Sequence, residues 1–180
     1  MGILTKDTRA LMGYVRSGLA YLDRYGGPRA RVLRTLKRRA RRKELEGEEA
    51  AEMVAAAMAK LDALEVMDDR AFAAGKASAL RRKGTSRRAA MAKLLNTGLD
   101  RDIAEEALSQ LDSEAEAPEE AERTAAFRYA QRRRFGPFRF DPEKRAKRRI
   151  KDIAAMARAG FPLALAISVL DEDDDQQHSL

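Results

Sequence analysis

The chain has 180 residues, no cysteine and no tryptophan, and its 36 basic and 29 acidic side chains give a formal charge of +7. Without cysteine, and with a lone histidine at position 178, the sequence excludes thiol catalysis, disulfide scaffolds and Cys/His zinc sites. Its 34 Ala and 19 Leu against 5 Val and 5 Ile are typical of helices, so we predict an all-α fold.

The apolar runs of the chain are short. The longest uncharged one, residues 159–170, has 12 residues, fewer than the ~20 that a membrane span requires. The amino terminus also lacks the long apolar core of a signal peptide. We therefore expect a cytoplasmic protein without a membrane partner.

Charge alternates along the chain in three cycles, each basic and then acidic. The net charge is +11 over residues 1–43, −6 over 44–67, +6 over 68–98, −9 over 99–122, +10 over 123–158 and −5 over 159–180. Such a rhythm indicates internal repetition. We predict helical repeats over residues 1–67, 68–117 and 118–170, followed by an acidic disordered tail over residues 171–180.

Fixed offsets between the cycles support the repetition. At an offset of 58 residues Gly26 aligns with Gly84, and at an offset of 62 residues Gly98 aligns with Gly160. Aligned glycines carry more weight than aligned Ala, Leu or Arg, because those three residues are abundant throughout this chain.

Each cycle contains three stretches with apolar residues at helical spacing. In the first cycle they cover residues 11–22, 32–36 and 53–64, with a break at residues 26–28. In the second cycle Gly84 ends the first helix, Gly98 ends the second, and the expected amino-terminal caps are Asp68 or Asp69, Thr85 or Ser86, and Asp100.

In the third cycle the first helix begins after Pro118 and ends near residues 136–137. Asp141 and Pro142 then open a second helix as its cap and first residue, and residues 161–170 form a third. We expect the nine helices to stack into an elongated, curved array of three tandem three-helix repeats. The basic first and second helices could then line one binding face.

Basic residues gather in three clusters that suit phosphate binding, which is sensitive to salt and largely independent of sequence. The first cluster is Arg38, Arg39, Arg41, Arg42 and Lys43. The second is Arg81, Arg82, Lys83, Arg87 and Arg88. The third is Arg132, Arg133, Arg134, Lys144, Arg145, Arg148 and Arg149. The alternative is a solvated helix surface whose arginines pair with nearby glutamates.

Three phenylalanines, Phe135, Phe138 and Phe140, surround the break after the seventh predicted helix. They could stack on splayed bases or seal the gap between helices, and packing is the more common role of such residues.

Asp68 and Asp69 are interpreted as structural, because capping accounts for them.

Catalysis has little support in the sequence. It contains no P-loop, no dinucleotide-binding glycine motif and no H-E-x-x-H zinc motif. The aspartates at 171 and 173–175 could hold Mg²⁺, but an unstructured acidic tail is far more common. We predict no catalytic, cofactor-binding or metal-binding residue.

Several segments of the chain resemble the RecX family, bacterial regulatory proteins of the RecA recombinase. The middle of the chain is similar to the family's D-D-x-x-[FY]-A segment at residues 68–73, to its K-G step at residues 83–84 and to its I-x-x-A-L helix at residues 103–108. A helix that runs from leucine to glycine fits residues 94–98, and residues 134–136 and 158–161 resemble the family's third unit. The resemblance extends from about residue 10 to residue 170.

The resemblance implies a non-enzymatic, monomeric modulator that lies in the groove of RecA filaments on single-stranded DNA. Such a protein restrains filament growth, ATP hydrolysis and strand exchange, and thereby affects DNA repair and the SOS response. Direct DNA contact with weak sequence preference would fit the three basic clusters.

Two other functions remain open from the residues alone. The chain could coat DNA or RNA independently of sequence and never touch RecA. It could also be a helix-turn-helix transcription factor, which would strongly prefer one duplex sequence.

Overall fold

A computed structural model describes residues 6–45, 47–114 and 118–171. These residues form nine α-helices and no strand, which confirms the predicted all-α class. The helices are α1 (Lys6–Tyr25), α2 (Arg29–Arg42), α3 (Gly47–Ala63), α4 (Asp69–Arg82), α5 (Arg87–Leu95), α6 (Arg101–Ser113), α7 (Pro118–Arg133), α8 (Pro142–Arg158) and α9 (Leu163–Asp171). A single 3-10 turn, Gly136–Phe138, follows α7.

The glycines that align between the cycles also share their backbone conformation. Gly26 and Gly84, which follow α1 and α4, have φ angles of +58° and +69°. Gly98 and Gly160, which follow α5 and α8, have φ angles of +97° and +99°. L side chains rarely adopt such angles. The agreement supports internal repetition, while the number and bounds of the repeats stay a prediction.

The helices belong to two compact units, and the chain enters the first unit twice. The first unit holds the described residues up to Ala73 together with Asn96–Ile103. The second holds Ala74–Leu95 together with the described residues from Ala104 onward. The helices α4 and α6 each contribute residues to both units.

The core of the first unit lies between α1, α2 and α3. Val32, Leu36 and Leu61 are fully buried there, and each such side chain contributes about 1.5–3 kcal/mol through its removal from water. At Gly18 a Cβ atom would lie 2.5 Å from Leu61 Cδ1, so the missing side chain lets α1 approach α3 closely.

The core of the second unit is rich in alanine. Ala126, Ala130, Met156, Ala166 and Val169 of α7, α8 and α9 are fully buried. Small side chains let helix backbones approach one another, and aromatic contacts fill the remaining gaps. The rings of Phe127 and Phe138 meet edge to face with their centroids 4.9 Å apart, and those of Tyr129 and Phe161 are 5.4 Å apart.

Several helix ends follow their sequence signals. Asp141 accepts hydrogen bonds from the N–H groups of Glu143 and Lys144 at the start of α8, as an amino-terminal cap should. Ser86 Oγ accepts from the N–H of Ala89 in the first turn of α5, and it also donates to the carbonyl of Ala159 at the end of α8.

Asp68 and Asp69 accept hydrogen bonds from the backbones of two different helices. Asp68 accepts a hydrogen bond from the N–H of Ala71 in α4, at 2.8 Å. Asp69 instead accepts from the N–H of Arg29, the first residue of α2, also at 2.8 Å. Both carboxylates therefore have a structural role, and the second one connects the start of α4 to the start of α2.

Asp171, which was predicted to start the acidic tail, belongs to a helix instead. Asp171 is the last residue of α9, and both its carboxylate oxygens accept hydrogen bonds from Arg149 in α8. Residues 172–180, which include His178, lie outside the described residues. Within the described part, no helix is both long and apolar enough to cross a membrane.

Candidate nucleic-acid interface

The first cluster lies at the carboxyl end of α2, in the first unit. Arg38, Arg41, Arg42 and Lys43 are exposed, and the side chain of each lacks an ion-pair or hydrogen-bond partner among the described residues. Arg39 differs, because its guanidinium lies 5.1 Å from the centroid of the Tyr14 ring and is partly buried. Four cations of this cluster are therefore available to an outside anion.

The second cluster divides into buried and exposed members. Arg81 is only 8% exposed, and its Nη1 donates to the carbonyl of Thr85 at 3.0 Å and to Glu122 Oε2 at 2.5 Å. Its Nη2 lies 3.6 Å from Asp112 Oδ1, within charge contact but beyond a normal hydrogen bond. Arg81 thus serves the fold, and the surface role predicted for it from the sequence does not fit its burial.

Arg87 belongs to the same internal network. Its side chain pairs with Glu105 and, at 3.1 Å, with Asp112, while its backbone N–H donates to Glu122. Two buried or half-buried arginines thereby pair with three carboxylates from α6 and α7. Paired charges of this kind tolerate burial, whereas a single unpaired one would not.

The remaining members of the second cluster face solvent. Arg82, Lys83 and Arg88 are exposed and have no partner in the described part of the chain. They lie between the last turn of α4 and the first turn of α5, all within the second unit.

The third cluster spans the end of α7 and the start of α8. The guanidinium groups of Arg132 and Arg133 lie 5.8 Å and 5.7 Å from the ring centroid of Tyr129. Arg134 lies 5.6 Å from the ring centroid of Phe140. All three arginines are exposed.

In α8 the basic residues have different partners. Lys144 pairs with Asp141 at 3.1 Å, and Arg145 donates to the carbonyl of Pro137 at 2.8 Å. Arg149 is held by Asp171, whereas Arg148 is exposed and its side chain forms no ion pair or hydrogen bond with any described residue. Arg145 and Arg149 therefore have structural contacts of their own.

The helix dipole favours some of the basic residues and disfavours others. Cations near a helix carboxyl end stabilise the helix dipole, which accounts in part for the basic last turns of α2, α4 and α7. In the first turn of α8, by contrast, Lys144 and Arg145 lie where the dipole disfavours positive charge, as do Arg87 and Arg88 in the first turn of α5. Exposed pairs such as Lys147 with Glu143 offset little of this cost.

The three phenylalanines near this helix are not equivalent. Phe135 and Phe138 are half-buried and pack against the core of the second unit. Phe140 is 91% exposed. The packing interpretation is therefore correct for two of the three rings, and the third ring points into solvent.

Hydrogen bonds shift the acidity of several carboxyl groups. Arg29 donates to both oxygens of Asp62, which holds the pKa of Asp62 below its usual 3.8. The pKa of Asp171 is lowered chiefly by its hydrogen bonds to Arg149. At Asp141 the pKa is lowered first by Lys144. Each of these shifts belongs to an exposed structural pair, and none indicates an acid or base for catalysis.

Two buried aspartates were missed in the sequence. Asp152 is 3% exposed and accepts from Arg139 Nε at 2.9 Å and from Arg139 Nη2 at 2.7 Å. Asp112 is 6% exposed and lies in the network of Arg81 and Arg87. Each lies one helical turn from a fully buried apolar residue, Met156 or Leu108, and this spacing is the signal that could have identified it.

The described residues contain no group of three or more acidic or histidine side chains placed to hold a metal ion. What they do present is a set of exposed cations without partners. Within the three clusters these are Arg38, Arg41, Arg42, Lys43, Arg82, Lys83, Arg88 and Arg148.

Comparison with known proteins gives one informative relationship. The chain is 34% identical over 161 residues to the regulatory protein RecX of Myxococcus xanthus (strain DK1622). The match covers 87% of this chain and 83% of that protein. No protein-family model and no solved structure matches the chain.

Proposed function

The chain belongs to the RecX family of regulatory proteins, and from this membership we propose that it binds the RecA recombinase and its filaments on single-stranded DNA. In that complex it inhibits ATP hydrolysis, filament growth and strand exchange, and so modulates DNA repair and the SOS response. The observation that carries the proposal is the identity of 34%, which extends over most of both chains.

The exposed cations supply the electrostatic means for such binding. A nucleoprotein filament presents DNA phosphates and acidic protein side chains, and cations without internal partners are free to pair with either. Each phosphate that is neutralised also releases counterions, which makes the binding sensitive to salt. Arg81, Arg87, Arg145 and Arg149 take no part in the proposed contact, because their guanidinium groups already bind carboxylates or carbonyls of this chain.

In this role the protein works by binding and needs no catalytic residue, cofactor or metal. It acts in the cytoplasm as a monomer. The same cations support the rival function of coating single-stranded nucleic acid without contacting RecA, so the test must separate the two.

The test is a titration of RecA ATPase activity on single-stranded DNA. We expect inhibition at substoichiometric amounts of the protein relative to RecA, and we expect it to persist when bare DNA is in excess. Inhibition that disappears with excess DNA would support coating alone. Absence of inhibition at low salt would refute the proposed regulation.

A binding measurement completes the test. An affinity column that carries immobilised RecA, without nucleic acid, should retain the protein at low salt. A protein that only coats DNA would pass through the column, although it would still bind an immobilised single strand.

A further inference from the structure

Phe140 is an aromatic side chain that the fold does not use. It is 91% exposed, more than any other large apolar residue in the described part of the chain, and Ile150 follows at 80%. A buried phenylalanine would contribute about 1.5–3 kcal/mol to folding, and this one forgoes most of that contribution. Stability therefore gives no reason for an aromatic ring at this position.

The surroundings of the ring are cationic. The Arg134 guanidinium lies 5.6 Å from the ring centroid, and because the residue is 91% exposed this contact covers only part of the ring. A depression of about 210 Å³ beside the ring is lined by Arg134, Arg139, Phe140, Asp141 and Lys144. An open aromatic face and three basic side chains thus border the same small space.

The floor of this depression is rigid. Arg139 is fixed by two hydrogen bonds to the buried carboxylate of Asp152, and Asp141 is fixed as the cap of α8. Lys144 pairs with Asp141, with 72% of its side chain exposed. Arg148 lies one helical turn beyond Lys144, on the same face of α8, and has no partner among the described residues.

This combination fits a particular ligand. Single-stranded nucleic acid exposes the faces of its bases, which stack on aromatic rings and on guanidinium planes, and its phosphates pair with nearby cations. A duplex keeps its bases stacked inside and offers no free face to the ring. An acidic protein surface would pair with the cations but would leave the aromatic face without a matching group.

We propose that Phe140 is a stacking site for one unpaired base of single-stranded DNA, with Arg134 beside the ring and with Arg148 neutralising an adjacent phosphate. The inference deepens the proposed function and rests on its direct contact with DNA, but it does not require RecA.

The absence of tryptophan from the chain provides a direct test. In the full-length Phe140→Trp variant the indole is the sole tryptophan, so its fluorescence reports this position alone. We expect an oligodeoxythymidine of about 15 nucleotides to quench this fluorescence. A strand of the same length without bases should leave the fluorescence nearly unchanged, because it carries the phosphates but nothing that stacks.

Affinity measurements with Phe140→Ala give the second part of the test. The variant should bind oligodeoxythymidine about 5- to 140-fold more weakly than the wild type, as the loss of one stacked base predicts. Its affinity for the abasic strand should not change. The matched control is Ile150→Ala, which removes another highly exposed apolar side chain from the same region and should alter neither affinity.

Specific results would overturn the inference. Equal weakening on both strands, no effect on either strand, or no quenching of the tryptophan would each show that the ring does not stack on a base. If Phe140→Ala weakens binding to RecA and leaves DNA binding intact, the ring contacts protein. If the wild type binds neither strand, this site and direct DNA contact both fail, while the RecA ATPase titration still decides the proposed regulation.

Discussion

The guanidinium of Arg81 and the carboxylate of Glu122 form a buried ion pair that joins the end of α4 to the start of α7, 41 residues later. The side chains are 10% and 16% exposed. Asp112 and Arg87 complete the same group of charges. A basic run that looks uniform in the sequence therefore contains one residue that holds the second unit together.

We expect Arg81→Met to lower the free energy of unfolding by about 3–5 kcal/mol, because Glu122 and Asp112 would remain buried with less positive charge beside them. Urea denaturation followed by circular dichroism measures the change. Arg82→Met is the control, since Arg82 is exposed and its replacement should stay within about 0.5 kcal/mol of the wild type. Equal midpoints for the two variants would contradict the structural role of Arg81.

Two glycines, one inside α4 and one just after its end, should change the stability of the protein in opposite directions when each is replaced by alanine. Gly84 has a φ angle of +69°, and a Cβ atom there would lie 2.6 Å from the backbone nitrogen of Tyr129. We expect Gly84→Ala to destabilise the protein by more than about 1 kcal/mol, since both the angle and the space oppose a side chain.

Gly75, in the interior of α4, provides the matched control. No atom lies within 4 Å of a Cβ built there, and its φ angle is that of an ordinary helix. We expect Gly75→Ala to stabilise the protein by about 0.5–1 kcal/mol, because alanine loses less backbone entropy in a helix. The thermal midpoints of the two variants should lie on opposite sides of the wild-type value.

Acid should weaken the Arg29 and Asp62 pair. The folded-state pKa of Asp62 lies below the ordinary 3.8, so its stabilising contribution is present above about pH 4 and disappears as the pH falls through the folded-state pKa. Arg29→Met should raise the pKa of Asp62 toward 3.8. Carboxyl NMR titration checks this, with Asp171 as the internal control because its partner, Arg149, is unchanged.

Charge reversal should show whether the exposed cations of the second cluster act through their position or only through the overall charge of the surface. We expect Arg82→Glu combined with Lys83→Glu to raise the protein concentration for half-inhibition of RecA ATPase about 5- to 10-fold at low salt. Both side chains are exposed, so the helix content should not change.

The control for this reversal is Lys76→Glu combined with Lys93→Glu. Both lysines are exposed, lie in α4 and α5 of the same unit and fall outside the three clusters, and the net charge changes equally. Inhibition should remain near the wild-type level. If both double variants weaken inhibition to the same degree, overall charge matters and the cluster has no special role.

Local signals in the sequence were sufficient to predict the helices and many of their ends. Periodic apolar residues in the first two cycles, and helix-starting and helix-breaking residues in the third, predict the nine helices of the described chain. Gly84, Ser86 and Asp141 act at helix ends as expected, because these effects depend on residues a few positions apart. The prediction that Asp69 is structural was correct, but a cap on its own helix was not, since its hydrogen-bond donor, Arg29, lies 40 residues away.

The candidate site was predictable in outline but not residue by residue. Ala73 and Ala77 are fully buried, and Arg81 lies one helical turn further along the same face of α4, whereas Arg82 lies about 100° around the helix. The spacing of the small residues therefore contained a signal for the burial of Arg81. Its carboxylate partners come from distant helices, and the packing that brings them together could not be predicted from a local pattern.

The hydroxyl of Ser86 has a consequence for the kinetics of folding. It bonds to Ala89, three residues away, and to Ala159, 73 residues away, and a Cβ atom at Gly160 would lie 2.5 Å from it. We expect the distant bond to form late, after the chain has closed a long loop, and to contribute little to the folding transition state. Ser86→Ala should therefore accelerate unfolding more than it slows folding, and this hydroxyl acts mainly to prolong the lifetime of the native state.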